Sequence, residues 1–304
     1  IKTFNLVQYV NTLPDTLKMV RISSDQLPMF THNDWKNTYL QSGVLGDLEK
    51  LWNKTGEYAR KNNIRLSFHP GQFCCLASDN SDVVDNSIAE IEYHVLMAKW
   101  MGYGVNFHDH GFKINIHISG RAGLSGMRSS INQLSPEARN LLTLENDEYS
   151  YGIEDCLSLS DLVPTVLDIH HNWCHTGQYI QPSCDLVEQI EESWRGIRPI
   201  LHYSTSCSEY LKDHSKDVLP SYNDLIGLGY KKGKLRAHSS TYWNMASNIW
   251  ALSFLDKFDI MCEVKTKNLA SQSLYQTYCE QTANHPSFDK YHKEGKIECQ
   301  DKIF

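Results

Sequence analysis

The sequence has no CxxC pair among its nine cysteines, which fall at positions 74, 75, 156, 174, 184, 207, 262, 279 and 299. That absence excludes a zinc ribbon and a thioredoxin-like redox motif. The count is odd, and several cysteines, such as Cys262 in DIMCEV, lie in apolar segments. Buried reduced thiols in a cytosolic-type protein are the expectation. No apolar run approaches the roughly 18 residues of a membrane-spanning helix. The first residues, IKTFNLVQYVNTLPDTLKMV, lack an initiator Met and the basic-then-apolar layout of a signal peptide. An intracellular protein, cytoplasmic or nucleoid-associated rather than secreted, is expected. Repeats, low-complexity tracts and Gly/Ser- or Pro-rich linkers are also missing, so nothing divides the 304 residues into modules. Nor is there a surplus of positive charge: 29 Lys and Arg stand against 36 Asp and Glu, a net charge of −7. This argues against coating DNA through phosphate contacts alone. It leaves room for an enzyme whose bound metals carry the local positive charge.

What is present is material for one large core: 41% hydrophobic residues, 11% aromatic. Short runs rich in β-branched and large apolar residues recur at 19–23, 64–69, 114–119, 141–145, 165–170, 199–203 and 258–264. Each suits a strand buried on both faces. Between them, 47–62, 86–101, 183–194 and 246–257 carry apolar residues at a spacing of three to four, the helical period. Gly102 and Gly104 stop the second of these. Alternating strand and helix predicts a parallel sheet with helices outside. A TIM (β/α)8 barrel is the closed solution, and it needs one strand more than the seven visible. An open wound sheet is the alternative. Residues 1–270 are expected to form the barrel and 271–304 a helix (274–283) and a tail.

The ionisable residues gather at the C-terminal ends of the strand candidates: His69, His117, Glu145, Asp168 with His170 and His171, His202, and Glu263. In a parallel barrel these ends converge on one face, where active sites form. Six strands in succession delivering His, Asp or Glu is difficult to ascribe to satisfied core polarity. Imidazoles and carboxylates without thiolates suit Zn, Mn, Fe or Mg. The number of candidates exceeds one mononuclear site, and Glu145 and Glu263 could bridge. Metals a few ångströms apart are the apparatus of in-line phosphoryl displacement, although a sugar isomerase also uses metals on a barrel rim. In DIHHNWCH (168–175), Asp168 and His171 are read as facing the site at the exit from the strand, His170 as supporting it or in the core, His175 as a loop residue. In SFHPGQF (67–73), Pro70-Gly71 makes a tight turn that projects Gln72 and Phe73 from the rim. An aromatic and an amide so placed could wedge into a duplex.

RISS (21–24), SFHPGQF (67–73), NIHISG (115–120), TLEND (143–147), LDIHH (167–171), LHYS (201–204) and CEVKTK (262–267) occur in an order that resembles the UV damage endonuclease family. The resemblance spans about residues 3–270. It implies a TIM barrel related to endonuclease IV, and a nuclease that cuts damaged double-stranded DNA 5′ to UV photoproducts and other lesions, leaving 3′-hydroxyl and 5′-phosphate ends. It implies two to three divalent metal ions, Mn2+ foremost with Zn2+ or Mg2+ as alternatives. By matching position it implies His69, His117, Glu145, Asp168, His171, His202, His214 and Glu263 as metal ligands. It implies Glu145 at the catalytic centre, His32, Lys265 and Lys267 at phosphates, and Gln72 and Phe73 as lesion probes.

The chain departs from the family pattern at three places. Ile200 stands where the family has a lysine that can be carboxylated at the metals. The segment after His214 has one additional residue. The family's opening strand precedes the stretch resembling TFNL, so the expectation is a barrel whose first strand is absent from the chain, supplied by another polypeptide, or left open. The competing readings are a metal-dependent sugar isomerase or epimerase of the xylose-isomerase-like class, and a catalytically degenerate barrel used for binding or assembly.

Overall fold

The computed structural model describes residues 1–41 and 43–284. The expected tail beyond the last helix, with Cys299, lies outside the described residues. All seven expected strands form: β1 (Met19–Arg21), β2 (Arg65–Phe68), β3 (Lys113–His117), β4 (Leu142–Glu145), β5 (Thr165–Asp168), β6 (Ile200–Tyr203) and β7 (Asp259–Cys262). They pair in chain order, every ladder parallel. Helices cross over between them, as a parallel sheet requires. The result is a nearly closed TIM barrel of seven strands.

The period-two alternation of the strands sorts two cores. Outward residues are apolar and meet the helices. Phe68 packs edge-on against Trp52 at 6.3 Å, from the helix Val44–Lys61, and against His94 at 5.2 Å, from the helix Ser81–Trp100. Gly56 allows close approach in this layer: a Cβ there would sit 2.0 Å from the Met101 carbonyl oxygen. The helix Ser81–Trp100 opens with the Asn80 side chain accepting the Asp82 N–H at 2.9 Å. It is followed by Gly102 at φ +85°, as the sequence predicts.

The inward residues are mostly polar. At the floor Arg65 of β2 pairs with Asp259 of β7 at 2.7 Å, and Arg198 joins Asp259 at 2.9 Å. Above them sit Lys113, Asn115 and Thr143, whose hydroxyl donates to the Asn115 amide oxygen at 2.7 Å. A barrel filled with hydrogen-bonded polar layers carries charge up to its working rim.

β1 and β7 form no ladder with each other among the described residues. Their seam is spanned by side chains: Met19, Ile200 and Met261 form a buried apolar cluster, and Arg21 pairs with Glu263. No described strand fills the place of the expected eighth.

Three expectations are corrected. The strand read as 165–170 ends at Asp168, because its carboxylate accepts the His171 N–H at 2.7 Å and caps a helix, Ile169–Thr176. His175 therefore lies in a helix, not a loop. The C-terminal helix is longer than 274–283, running Asn268–Asn284. The eight described cysteines are free thiols, five of them buried. Among the described residues no helix is long and apolar enough to cross a membrane.

Candidate metal centre

Glu145 ends β4 fully buried at the middle of the barrel mouth. Four imidazoles surround its carboxylate. His69 Nε2 and His117 Nε2 lie 3.4 and 3.7 Å from Oε2. His202 Nδ1 and His171 Nδ1 lie 3.0 and 3.6 Å from Oε1. Glu263 Oε1 is 3.3 Å from His202 Nδ1, and Asp168 Oδ2 is 3.5 Å from His171 Nδ1. Seven of the eight expected ligands thus converge, each within a few residues of the C-terminal end of its strand.

The donor atoms fall into two groups that share Glu145: His69, His117 and Glu145, and Glu145, Asp168, His202 and Glu263, each set within 4.8 Å. Buried Glu145 Oε1, Asp168 Oδ2 and His202 Nδ1, which all face the cluster, have no hydrogen-bond partner of good geometry. Buried polar atoms are almost always satisfied, so three such atoms in one cluster suit a cation that they would ligate. Nitrogen and oxygen donors of this type fit borderline divalent ions.

Neighbours fix the donors. Asn115 donates its amide to Glu145 Oε2. The Asn146 amide donates to the Asp168 carbonyl at 2.9 Å and accepts the Asp168 N–H at 2.8 Å, locking the ends of β4 and β5 together. His171 Nδ1 faces the Asn146 carbonyl at 3.0 Å. Gly120, at φ +128°, lets the chain after β3 lie against Ala77, whose oxygen would be 2.0 Å from a Cβ.

Burial raises Glu145, but the His202 and His117 imidazoles outweigh it and hold the carboxyl well below its usual range. Burial, with the Glu145 and Glu263 charges, pushes Asp168 well above its usual value. Burial acts to lower His171, yet Asp168, Glu145, Glu148 and Glu263 raise it to about 9. Burial lowers His202 to about 4 and Lys113 to about 7. Without cations, protons must therefore offset part of the carboxylate charge. Divalent ions can take that role.

His214 sits in a turn with Nδ1 2.8 Å from the Ser215 oxygen and its ring edge-on to Trp243, and no described contact ties it to Glu145. His32 caps the helix Asn33–Leu40, accepting the Asp34 N–H at 3.2 Å, and no described contact ties it to Glu145. Gln72 and Phe73 project from the turn after β2, and Phe73 is 86% exposed. Lys265 and Lys267 are exposed just after β7. His170, expected to support the site or lie in the core, is buried with its ring stacked on Trp173.

Sequence reasoning missed His238. Its ring lies 5.8 Å from His171, and its Nδ1 is 2.8 Å from the Glu263 carbonyl. It sits in a loop, so no strand signalled it. Also missed were Lys113, 3.0 Å from His202 Nε2, and Glu148, 3.7 Å from His171 Nε2. Lys113 reaches the site from β3, while Ile200, which stands where the resemblance implies a lysine, packs between Met19 and Met261.

Comparison with known proteins follows the same lines. The family model for UV-endonuclease UvdE matches residues 2–291. The UV DNA damage endonuclease of Bacillus cereus (strain G9842) is 27% identical over 277 residues, covering 88% of this chain and 77% of that protein. That of Bacillus thuringiensis subsp. konkukian (strain 97-27) is 27% identical over 283 residues, covering 90% and 78%. In fold, the crystal structure of SacUVDE matches at TM-score 0.68 and 24% identity, over 93% of this chain and 85% of that one. Endonuclease IV from Thermus thermophilus matches at TM-score 0.52 and 11% identity, over 88% and 99%. The chain belongs to the UV-endonuclease UvdE family, the DNA-repair nucleases that cleave phosphodiester bonds.

Proposed function

We propose that this nuclease incises double-stranded DNA on the 5′ side of UV photoproducts and other lesions, leaving 3′-hydroxyl and 5′-phosphate ends, with two to three divalent ions, Mn2+ foremost. The observation that carries this reading is the sharing of Glu145 between two donor groups. When bound, such ions polarise the scissile phosphate, activate water and stabilise the leaving oxygen. The chain's residues do the rest. His69, His117, Glu145, Asp168, His171, His202 and Glu263 hold the ions, and His238 takes the place expected for His214. Asn115 keeps the Glu145 carboxylate oriented. Arg21 and Lys113 supply positive charge beside Glu263 and His202. Lys265, Lys267 and His32 contact phosphates. Gln72 and Phe73 enter the duplex where damage has weakened stacking, so lesions are chosen by deformability rather than by base edges.

The test is a duplex with one thymine dimer and an end-labelled strand. Metal-loaded protein should cut once, 5′ to the dimer, and leave an end that a polymerase extends. Cutting on the 3′ side only, or a non-extendable end, overturns the reading.

A further inference from the structure

Residues 204–258 connect β6 to β7 through several short helices. Within this stretch, KKGKLRAH (231–238) carries Lys231, Lys232, Lys234 and Arg236 with no acid, in a protein of net charge −7. The three lysines are exposed. Long connections that are ordered usually have work beyond linkage.

The segment is rigidly held. Leu235 is fully buried among Trp173, Leu211 and Tyr222. Cys207 N–H donates to the Ala237 oxygen at 3.0 Å, and Ser239 N–H to the Thr205 oxygen at 2.8 Å. Ser206 and His238 form a bridge between these two stretches. The strip therefore has a fixed place relative to His238 and the metal centre.

Two of its cations lie on tyrosine rings. Arg236 Cζ is 3.7 Å from the ring centre of Tyr149, and Lys234 Nζ is 4.3 Å from that of Tyr210. Tyr149 belongs to the loop after β4, next to Glu148, which faces His171. Asp147 accepts the Tyr149 N–H at 2.6 Å and shapes that loop. Tyr149 remains 64% exposed. Arg236 has no ion-pair partner among the described residues, and its buried Nε has no hydrogen-bond partner. Arg60 and Arg195 also lie on aromatic rings without a carboxylate pair among the described residues, but on Tyr103 and Phe107 rather than on a loop that carries a neighbour of the metal centre. A guanidinium held against an exposed aromatic, without an anion, is prepared to receive one.

Strand order gives the direction. The β6–β7 connection leaves the mouth four strands from β2 and reaches the loop after β4 through Arg236 on Tyr149, which sets the strip on a different side of the mouth from the Phe73 turn. Exposed acids do occur nearby, Glu209 beside Tyr210 among them, but none is paired with the strip among the described residues.

We propose that Arg236 on Tyr149, with Lys231, Lys232 and Lys234, forms a phosphate clamp that grips the duplex backbone on a different side of the mouth from Phe73. This rests on the reading of the partner as duplex DNA. It deepens that reading by naming where the backbone is held. The clamp reads no sequence and no lesion. It positions the duplex so that the Phe73 side probes it.

The test measures binding of metal-loaded protein to an undamaged, uncut duplex by fluorescence anisotropy at increasing KCl. Arg236→Gln should make the slope of log Kd against log salt shallower by about one phosphate contact. The triple Lys231→Gln, Lys232→Gln, Lys234→Gln variant should make it shallower by about three. The lysines are exposed, so the triple variant remains decisive if Arg236→Gln fails to fold. Unchanged slopes in the folded variants overturn the clamp. The nuclease reading fails separately: wild-type protein that binds duplex with the expected slope but never cuts a dimer-containing strand overturns that reading alone.

Discussion

At the scale of single residues, the site is a set of donors placed by alternation along short strands. Those donors were legible because strand ends are easy to locate and because His and carboxylate residues recur at each of them. His238 was not legible, since it is held by a loop bridge to Ser206 that leaves no periodic trace. His214 drew attention only by position along the chain. A direct comparison separates them: His238→Ala should weaken metal binding by about ten- to a hundredfold, and His214→Ala should leave it nearly unchanged. Isothermal titration with Mn2+ checks both, and the reverse ranking contradicts the assignment. Phe73 is exposed and packs on nothing in the core. Phe73→Ala should therefore lower the ratio of binding to damaged over intact duplex while leaving metal affinity in place. An unchanged ratio removes the wedge.

At the scale of elements, the seven strands are legible as buried apolar runs, and their bounds shift by a residue or two where a local hydrogen bond decides. Asp168 shows how: its carboxylate caps a helix, so a segment that reads as strand becomes helical one residue later. The polar interior was less legible. Nothing in the sequence marks Arg65 and Asp259 as partners, because they are far apart in the chain and meet only when β2 and β7 face each other across the floor. Asp259 is the anion for two guanidiniums there, Arg65 and Arg198. Removing one partner of a buried charge group leaves the others uncompensated. Asp259→Ala should destabilise the fold by about 3–5 kcal/mol, read as a lower urea midpoint. An unaltered midpoint would show that the floor pair does not hold β2 to β7.

At the scale of the whole molecule, the acidic balance and a DNA substrate are compatible, because cations held in the mouth would change the sign of the working face. Stability depends on pH through groups remote from the reaction. His94 is fully buried, and burial lowers it to about 4. Unfolded, it titrates near about 6.5. Between those values the unfolded chain binds the additional proton, so its contribution is complete above pH ~6.5 and is lost as pH falls toward 4. The thermal midpoint of metal-free His94→Gln should therefore depend less steeply on pH in that window than the midpoint of wild type. Parallel curves would show that His94 is not held neutral by folding.

The central claim is that the Glu145-centred cluster makes this barrel a damage-directed, metal-dependent nuclease. Its most direct test is nicking of a UV-irradiated supercoiled plasmid beside an unirradiated one, with Mn2+ and then with a chelator. Metal-loaded wild type should nick the irradiated plasmid alone, chelation should stop it, and Glu145→Ala should be inactive while still folded. Damage-dependent nicking that persists in Glu145→Ala, or no nicking of either plasmid by the metal-loaded protein, would contradict the account.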